Sequence, residues 1–205
     1  MAETLPHPST RPIWLASTSR YRRELLGRLG LPFDCEAPKV EEIRLTGEAP
    51  AALAQRLALA KARAVAERHP GALVIGSDQV CALGDAVFGK PGDAAGARTQ
   101  LAQLSGRTAQ FFTAVAVVGL QAGVWKQHLD ETRCVFRALN TDEIAAYVAA
   151  EEPFDCAGSF KVEGLGISLF ERIESQDPTA LIGLPLIWTS SAMAAARGGA
   201  SLASR

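Results

Sequence analysis

The chain has 205 residues, which allows one large domain or two small lobes. Its 48% hydrophobic and 21% charged residues exclude wholesale disorder and fibrous architecture. Charge nearly cancels, with 21 Lys and Arg against 22 Asp and Glu for a net −1, so no broad basic surface exists to hold nucleic acid or an anionic membrane.

The longest apolar stretches, such as 111–120, run to about ten residues where a bilayer span needs roughly 20. The first residues carry an acid and two prolines where a secretory leader needs a basic start and an apolar run, so a cytoplasmic protein is expected. Cys35, Cys81, Cys134 and Cys156 form no CxxC pair or Cys/His cluster. That argues against a zinc site and a disulfide framework, and for reduced, mostly buried thiols.

Residues 1–10 and 198–205 are small and polar, rich in Gly, Ser or Pro, and are expected to be flexible tails around a folded unit at 11–197. Ile13 to Ala16 has the length of a buried strand. Ser17, Thr18 and Ser19 then supply N-cap residues for a helix over Arg22 to Leu29, ended by Gly30. The stretch Ala51 to His69 has apolar residues at helical spacing and stops at Pro70 and Gly71. Ala72 to Leu83 reads as a strand interrupted by polar Ser77, Asp78 and Gln79, with Gly84 and Asp85 turning it into a short partner, Ala86 to Phe88. A helix follows over Asp93 to Leu104, then two longer strands, Thr108 to Leu120 and Val124 to Arg137. Thr141 is expected to cap the next helix, with acids in its first turn. A glycine-rich segment, Cys156 to Gly166, precedes a strand near Ile167 to Arg172 and a last helix from Leu184 to Ala196. No repeat or linker divides the chain, so any two lobes share it continuously, and the alternation of elements favours an α/β fold.

Basic residues gather beside turns and strand ends: Arg20, Arg22 and Arg23 after the Ser-Thr-Ser turn, Lys61 in the long helix, and Lys90. A helix N-terminus offers free amides and a favourable dipole to an anion, so 17–23 is suited to phosphate; a solvated basic face is the alternative. Asp78 interrupts an apolar run, where a lone charge costs several kcal/mol unless paired or bound to a metal. A strand-end Asp capping a nearby turn is the other account of it. With the loop acids Glu41 and Glu42, it completes what a nucleoside triphosphate and Mg²⁺ need: one or two carboxylates facing several cations. The glycine patterns of P-loop, dinucleotide-binding and serine-hydrolase motifs are absent. His7, His69 and His128 are read as surface residues.

Seven ordered segments (Leu15 to Leu26, Glu41 and Glu42, Arg56 to Ala62, Gly76 to Val80, Gly89 to Pro91, Cys156 to Gly164, and Gly183 to Leu186) resemble the Maf-like nucleoside triphosphate pyrophosphatases. Gln79 and Glu163 look like the 7-methyl-GTP subgroup, since the dTTP/UTP subgroup typically has Thr and Gln there. The resemblance implies a mixed twisted α/β sheet in two lobes with a central cleft, of Maf and inosine-triphosphatase type. It implies cleavage of the α,β-phosphoanhydride of a nucleotide, a divalent cation (Mg or Mn) as cofactor, and a homodimer. Asp78 falls on the proton acceptor, and Glu42 with Asp78 on the metal site. Ser17, Arg22, Arg23, Lys61 and Lys90 fall on phosphate-handling positions, and Tyr21, Gln79 and Glu163 on base selection. A carboxylate at Glu163 can accept from N1 and N2 of guanine, and Tyr21 can stack on a cationic base. Family members often carry Ser-Pro-Arg-Arg or Ser-Pro-Trp-Arg-Arg where this chain has Ser19-Arg20-Tyr21-Arg22-Arg23. UTP, dTTP or another modified nucleotide is the alternative substrate, and a nucleotide-sensing regulator of septum formation the alternative of another class.

Overall fold

The computed structural model describes residues 11–198. The expected flexible tails, and His7 with them, lie outside the described residues apart from Gly198. Seven strands form one mixed sheet: β1 (Ile13–Leu15), β2 (Asp34–Cys35), β3 (Leu73–Leu83), β4 (Ala86–Phe88), β5 (Thr108–Gly119), β6 (Val124–Phe136) and β7 (Phe170–Glu174). Their order is β2-β1-β3-β5-β6-β7, with β4 paired to the end of β3. β1 runs parallel to both neighbours, and β3, β5, β6 and β7 are antiparallel.

The long strands β3, β5 and β6 run from one apolar cluster to another, and β3 and β5 also pack two further clusters against the helix at 50–66. At one end, Leu15, Ile75 and Val117 pack under α1 (Arg20–Gly27) and the C-terminal helix, which contributes Met193. At the other, Phe136, Phe160 and Phe170 meet edge to face between α3 (Ala94–Leu104) and α4 (Thr141–Glu151), an arrangement that aromatic quadrupoles favour. This gives an α/β fold in two lobes with the cleft between them. The remaining helices are α2 (Pro50–Ala66) and α5 (Leu186–Ala196).

α2 lies on β3 because Gly76 has no side chain: a Cβ there would stand 2.4 Å from the Ala58 carbonyl oxygen and 2.5 Å from the Ala62 nitrogen. That close approach sets Lys61 of α2 over Asp78 of β3.

Three local expectations are corrected. The cap of α4 is Asn140, not Thr141: its Oδ1 accepts from Glu143 N while Glu143 Oε2 accepts from Asn140 N, a reciprocal pair Thr141 is one residue too late to make. The strand expected near 167–172 begins at Phe170, because Leu165–Leu169 forms a tight 3-10 turn. A Cβ on Gly166 would stand 2.3 Å from the Lys161 carbonyl oxygen, so that turn closes only on glycine. His69 and His128 are half-buried, not surface residues: His69 stacks on Trp14 and meets Glu36, and His128 stacks on Trp188. The two-residue strand β2 carries too short a pattern to read in sequence.

Cys81 and Cys134 are buried, Cys35 and Cys156 half-buried, and all four are free thiols. Among the described residues no helix is long and apolar enough to cross a membrane.

Candidate active site

A cleft of about 620 Å³ opens between the lobes, inside the range of roughly 300 to 1,000 Å³ typical of small-molecule sites. Of the ten residues singled out by sequence, nine line it: Ser17, Tyr21, Arg22, Glu42, Lys61, Asp78, Gln79, Lys90 and Glu163. Arg23 is exposed on α1 and is not among the lining residues.

Its centre is a cation held between two acids. Lys61 Nζ lies 2.5 Å from Asp78 Oδ1 and 2.6 Å from Glu42 Oε1. Lys61 and Asp78 are deeply buried, their side chains 6% and 8% exposed, while Glu42 reaches in from an exposed loop at 57%. Burial pushes the Asp78 carboxyl above its ordinary range, against the pull of Lys61 and Arg22. Burial also raises Glu42, but Lys61, Lys90 and Arg22 outweigh it and hold that carboxyl below its usual range. Two acids on one lysine are thus driven apart in basicity, the more basic of them being Asp78.

One wall of the cleft is built from the β1–α1 turn. Ser17 Oγ accepts from Ser19 N at 3.1 Å and Ser19 Oγ accepts from Arg22 N at 3.4 Å, so the turn is fixed by its own hydroxyls. Arg23 N donates to the Ser19 carbonyl at 3.2 Å, so of the first amides of α1 those of Arg20 and Tyr21 have no intrahelical partner among the described residues. Arg22 Nε donates to the Gly183 carbonyl at 2.9 Å, which leaves its two terminal nitrogens for a ligand. Desolvation lowers its pKa, opposed by Asp78 and Glu42; a guanidinium nonetheless stays charged in proteins.

The remaining walls join two residues that sequence pointed to, Gln79 and Glu163, with supports that it did not. Gln79 Nε2 lies 3.0 Å from Thr113 Oγ1 and from the Ala180 and Leu181 carbonyls, so its amide nitrogen anchors the 180–182 turn and only its oxygen is left for the cleft. The Glu42 loop is clamped by Arg56, whose Nε and Nη2 meet Glu48 Oε1 and Oε2 at 2.6 and 2.8 Å while Nη2 also donates to the Ile43 carbonyl. Arg44 ties the same loop to the β3–β4 turn through the Asp85 carbonyl. Arg56 opens one of the matching segments, which was the available signal for it. Glu163 stands exposed on the opposite lobe, beside Asp155 and Cys156.

Residues 12–196 match the family model described as Maf-like protein. The chain belongs to the Maf-like family. It is 55% identical over 195 residues to the 7-methyl-GTP pyrophosphatase of Polaromonas sp., covering 95% of this chain and 89% of that protein. It is 58% identical over 173 residues to the 7-methyl-GTP pyrophosphatase of Xanthomonas oryzae pv. oryzae, covering 84% and 90%. Among solved structures, that of the Staphylococcus aureus Ham1 protein aligns at a TM-score of 0.46 and 16% identity, over 75% of this chain and 88% of that one. Six of the seven Maf-like segments contribute lining residues, Ser17 to Arg22, Glu42, Lys61, Asp78, Lys90 and Glu163 among them, and the seventh meets the cleft through the Gly183 carbonyl that holds Arg22.

Proposed function

We infer that this Maf-like protein is a nucleoside triphosphate pyrophosphatase acting on 7-methyl-GTP, giving 7-methyl-GMP and pyrophosphate in the cytoplasm. The observation that carries the reading is the Glu42–Lys61–Asp78 bridge, with Lys61 and Asp78 buried, in a cleft that also holds Ser17, Arg22 and Lys90.

In this reading a water attacks the α-phosphorus and the bond to the bridging oxygen breaks, so pyrophosphate departs with the electron pair. Asp78 takes the proton of that water. Lys61 engages Oδ1, leaving Oδ2 without a partner in the chain among the described residues, and burial makes the carboxylate a better base than an ordinary aspartate. Arg22 presents a fork pre-set by Gly183 to the phosphoryl oxygens. Lys90 and the α1 N-terminus balance the charge that gathers on pyrophosphate.

Glu42 and Asp78 would hold a divalent cation. Among the described residues no three His, Cys, Asp or Glu cluster. Two carboxylates within reach of one lysine nitrogen suit Mg²⁺ or Mn²⁺, which takes one or two protein acids and completes its shell with substrate phosphates and water. Such an ion supplies charge neutralisation on phosphoryl oxygens and a more acidic water.

On the far wall Glu163 accepts from N1 and N2 of guanine, and Tyr21 offers a ring to the base. The test is a panel of GTP, 7-methyl-GTP, UTP and dTTP with product identification. Monophosphate and pyrophosphate, released fastest from 7-methyl-GTP, are expected. Release of orthophosphate, or a preference for UTP or dTTP, overturns the reading.

A further inference from the structure

Arg20 is a cation that no step of the reaction described above uses. Arg20 opens α1, is exposed, and lines the cleft beside Tyr21. Its Nη2 donates to Tyr21 Oη at 2.7 Å, and its Cζ lies 4.7 Å from the centroid of the Tyr21 ring. That distance is inside the roughly 6 Å at which a cation and an aromatic face attract. From across the cleft the Cys156 thiol donates to the same hydroxyl at 3.9 Å. The ring is therefore held in place, half-buried, with its own chain's cation over it.

We propose that Arg20 is a specificity-determining residue: its guanidinium occupies the face of Tyr21 that a cationic base needs, and so weakens this enzyme's preference for a positively charged over a neutral purine. The proposal rests on the guanine-type substrate inferred above. N7-methylation gives guanine a positive charge, and the attraction of that charge to an aromatic face is the extra energy a methylated nucleotide gains over an unmodified one. With a guanidinium already there, the incoming cation must displace it and meets a like charge while doing so. A neutral guanine loses only the stacking area.

The chain's Arg20 is thus a built-in competitor for the ligand. Replacing it by a neutral residue should restore the discrimination that Tyr21 can give.

The test measures 7-methyl-GTP against GTP turnover, and in parallel the equilibrium binding of 7-methyl-GMP against GMP, in the wild type and in Arg20→Gln. The ratio favouring the methylated nucleotide should rise about three- to tenfold in both measurements, the span of a cation–π contact at a partly exposed site. The change should come through KM of the methylated substrate. In a Tyr21→Leu background, where no ring remains to cover, the same Arg20→Gln substitution should shift the ratio by less than half as much. A ratio that stays put or falls in Arg20→Gln overturns the proposal, as does an effect of full size in the Tyr21→Leu background; equal losses for both nucleotides would make Arg20 a phosphate contact instead. Failure of the functional reading looks different. If the wild type cleaves neither triphosphate, yet Arg20→Gln shifts monophosphate binding toward the methylated form, the activity is wrong and the role of Arg20 stands.

Discussion

Ser77 Oγ donates to the carbonyl oxygen of Gly183 at 2.9 Å, and Arg22 Nε reaches that same oxygen at 2.9 Å from α1. The residue before the proposed base therefore helps set Arg22, the arginine proposed to bind phosphate. In Ser77→Ala the carbonyl keeps Arg22, so folding stability should fall by only about 1 kcal/mol. The Arg22 fork is less firmly placed, and KM for the nucleotide should rise by about three- to tenfold with a smaller change in kcat. Urea midpoints and steady-state kinetics measure the two; an unchanged KM would remove Gly183 from the account of Arg22.

Lys61 compensates two carboxylates at once, one of them buried. Lys61→Met leaves Asp78 charged in a dry site with only Arg22 nearby, and should destabilise the fold by about 3 kcal/mol. Adding Asp78→Asn removes the orphaned charge, so the double variant should regain most of that loss, a coupling that additivity forbids. Asp78→Asn alone should fold near-normally and lose about 10²- to 10⁴-fold in kcat, the usual contribution of a general base. Near-normal turnover in Asp78→Asn would dismiss it as the proton acceptor.

Asp78 is legible in sequence because an acid in an apolar strand carries a desolvation cost that requires a partner. Which partner is not legible: Lys61 is 17 residues earlier and meets it only because Gly76 admits α2 to the sheet. The β1–α1 turn is equally plain, since Ser17 and Ser19 cap locally. The clamp of Arg56 on Glu48 and the carbonyls of 180–183 are long-range or backbone features with no side-chain signature, and the composition of the 41–48 loop hides them. Arg23 belongs to the same segment as Ser17 and Ser19, but the turn of α1 carries it to an exposed position away from the lining residues.

Gly76 gives a packing test of the site. In Gly76→Ala the new methyl meets backbone atoms of Ala58 and Ala62 at 2.4 and 2.5 Å, and backbone cannot rotate away as a side chain can. α2 must lift, at a cost of about 1 to 3 kcal/mol or more, and Lys61 lifts with it. Activity should fall more steeply than stability, read as kcat against Tm. A fully active Gly76→Ala enzyme would mean that the Lys61–Asp78 contact tolerates a shifted helix.

Glu163 tests base selection from the other lobe. A glutamine there offers a donor where guanine N1 and N2 also donate, so Glu163→Gln should lower kcat/KM for 7-methyl-GTP about tenfold or more and improve the ratio for UTP. Retention of the full preference would place the selector elsewhere.

The clamp on the Glu42 loop has a pH signature. Arg56 holds the Glu48 carboxyl at about 2, helped by the Leu45 amide and Arg44 and opposed only by partial burial. Its folded pKa lies below the unfolded value of about 4.3, so its stabilisation is fully present above that value and is lost as pH falls toward 2. Glu48→Gln, which cannot titrate, should be less stable than the wild type at pH 7. The gap between their urea midpoints should close progressively between about pH 4.5 and pH 2. Glu42 and Lys61 stand on the two segments this clamp joins, the 41–48 loop and α2, so at pH 7 the variant should also raise KM. A gap in midpoint that holds constant from pH 7 down to pH 3 would show that the Arg56–Glu48 pair contributes shape without charge.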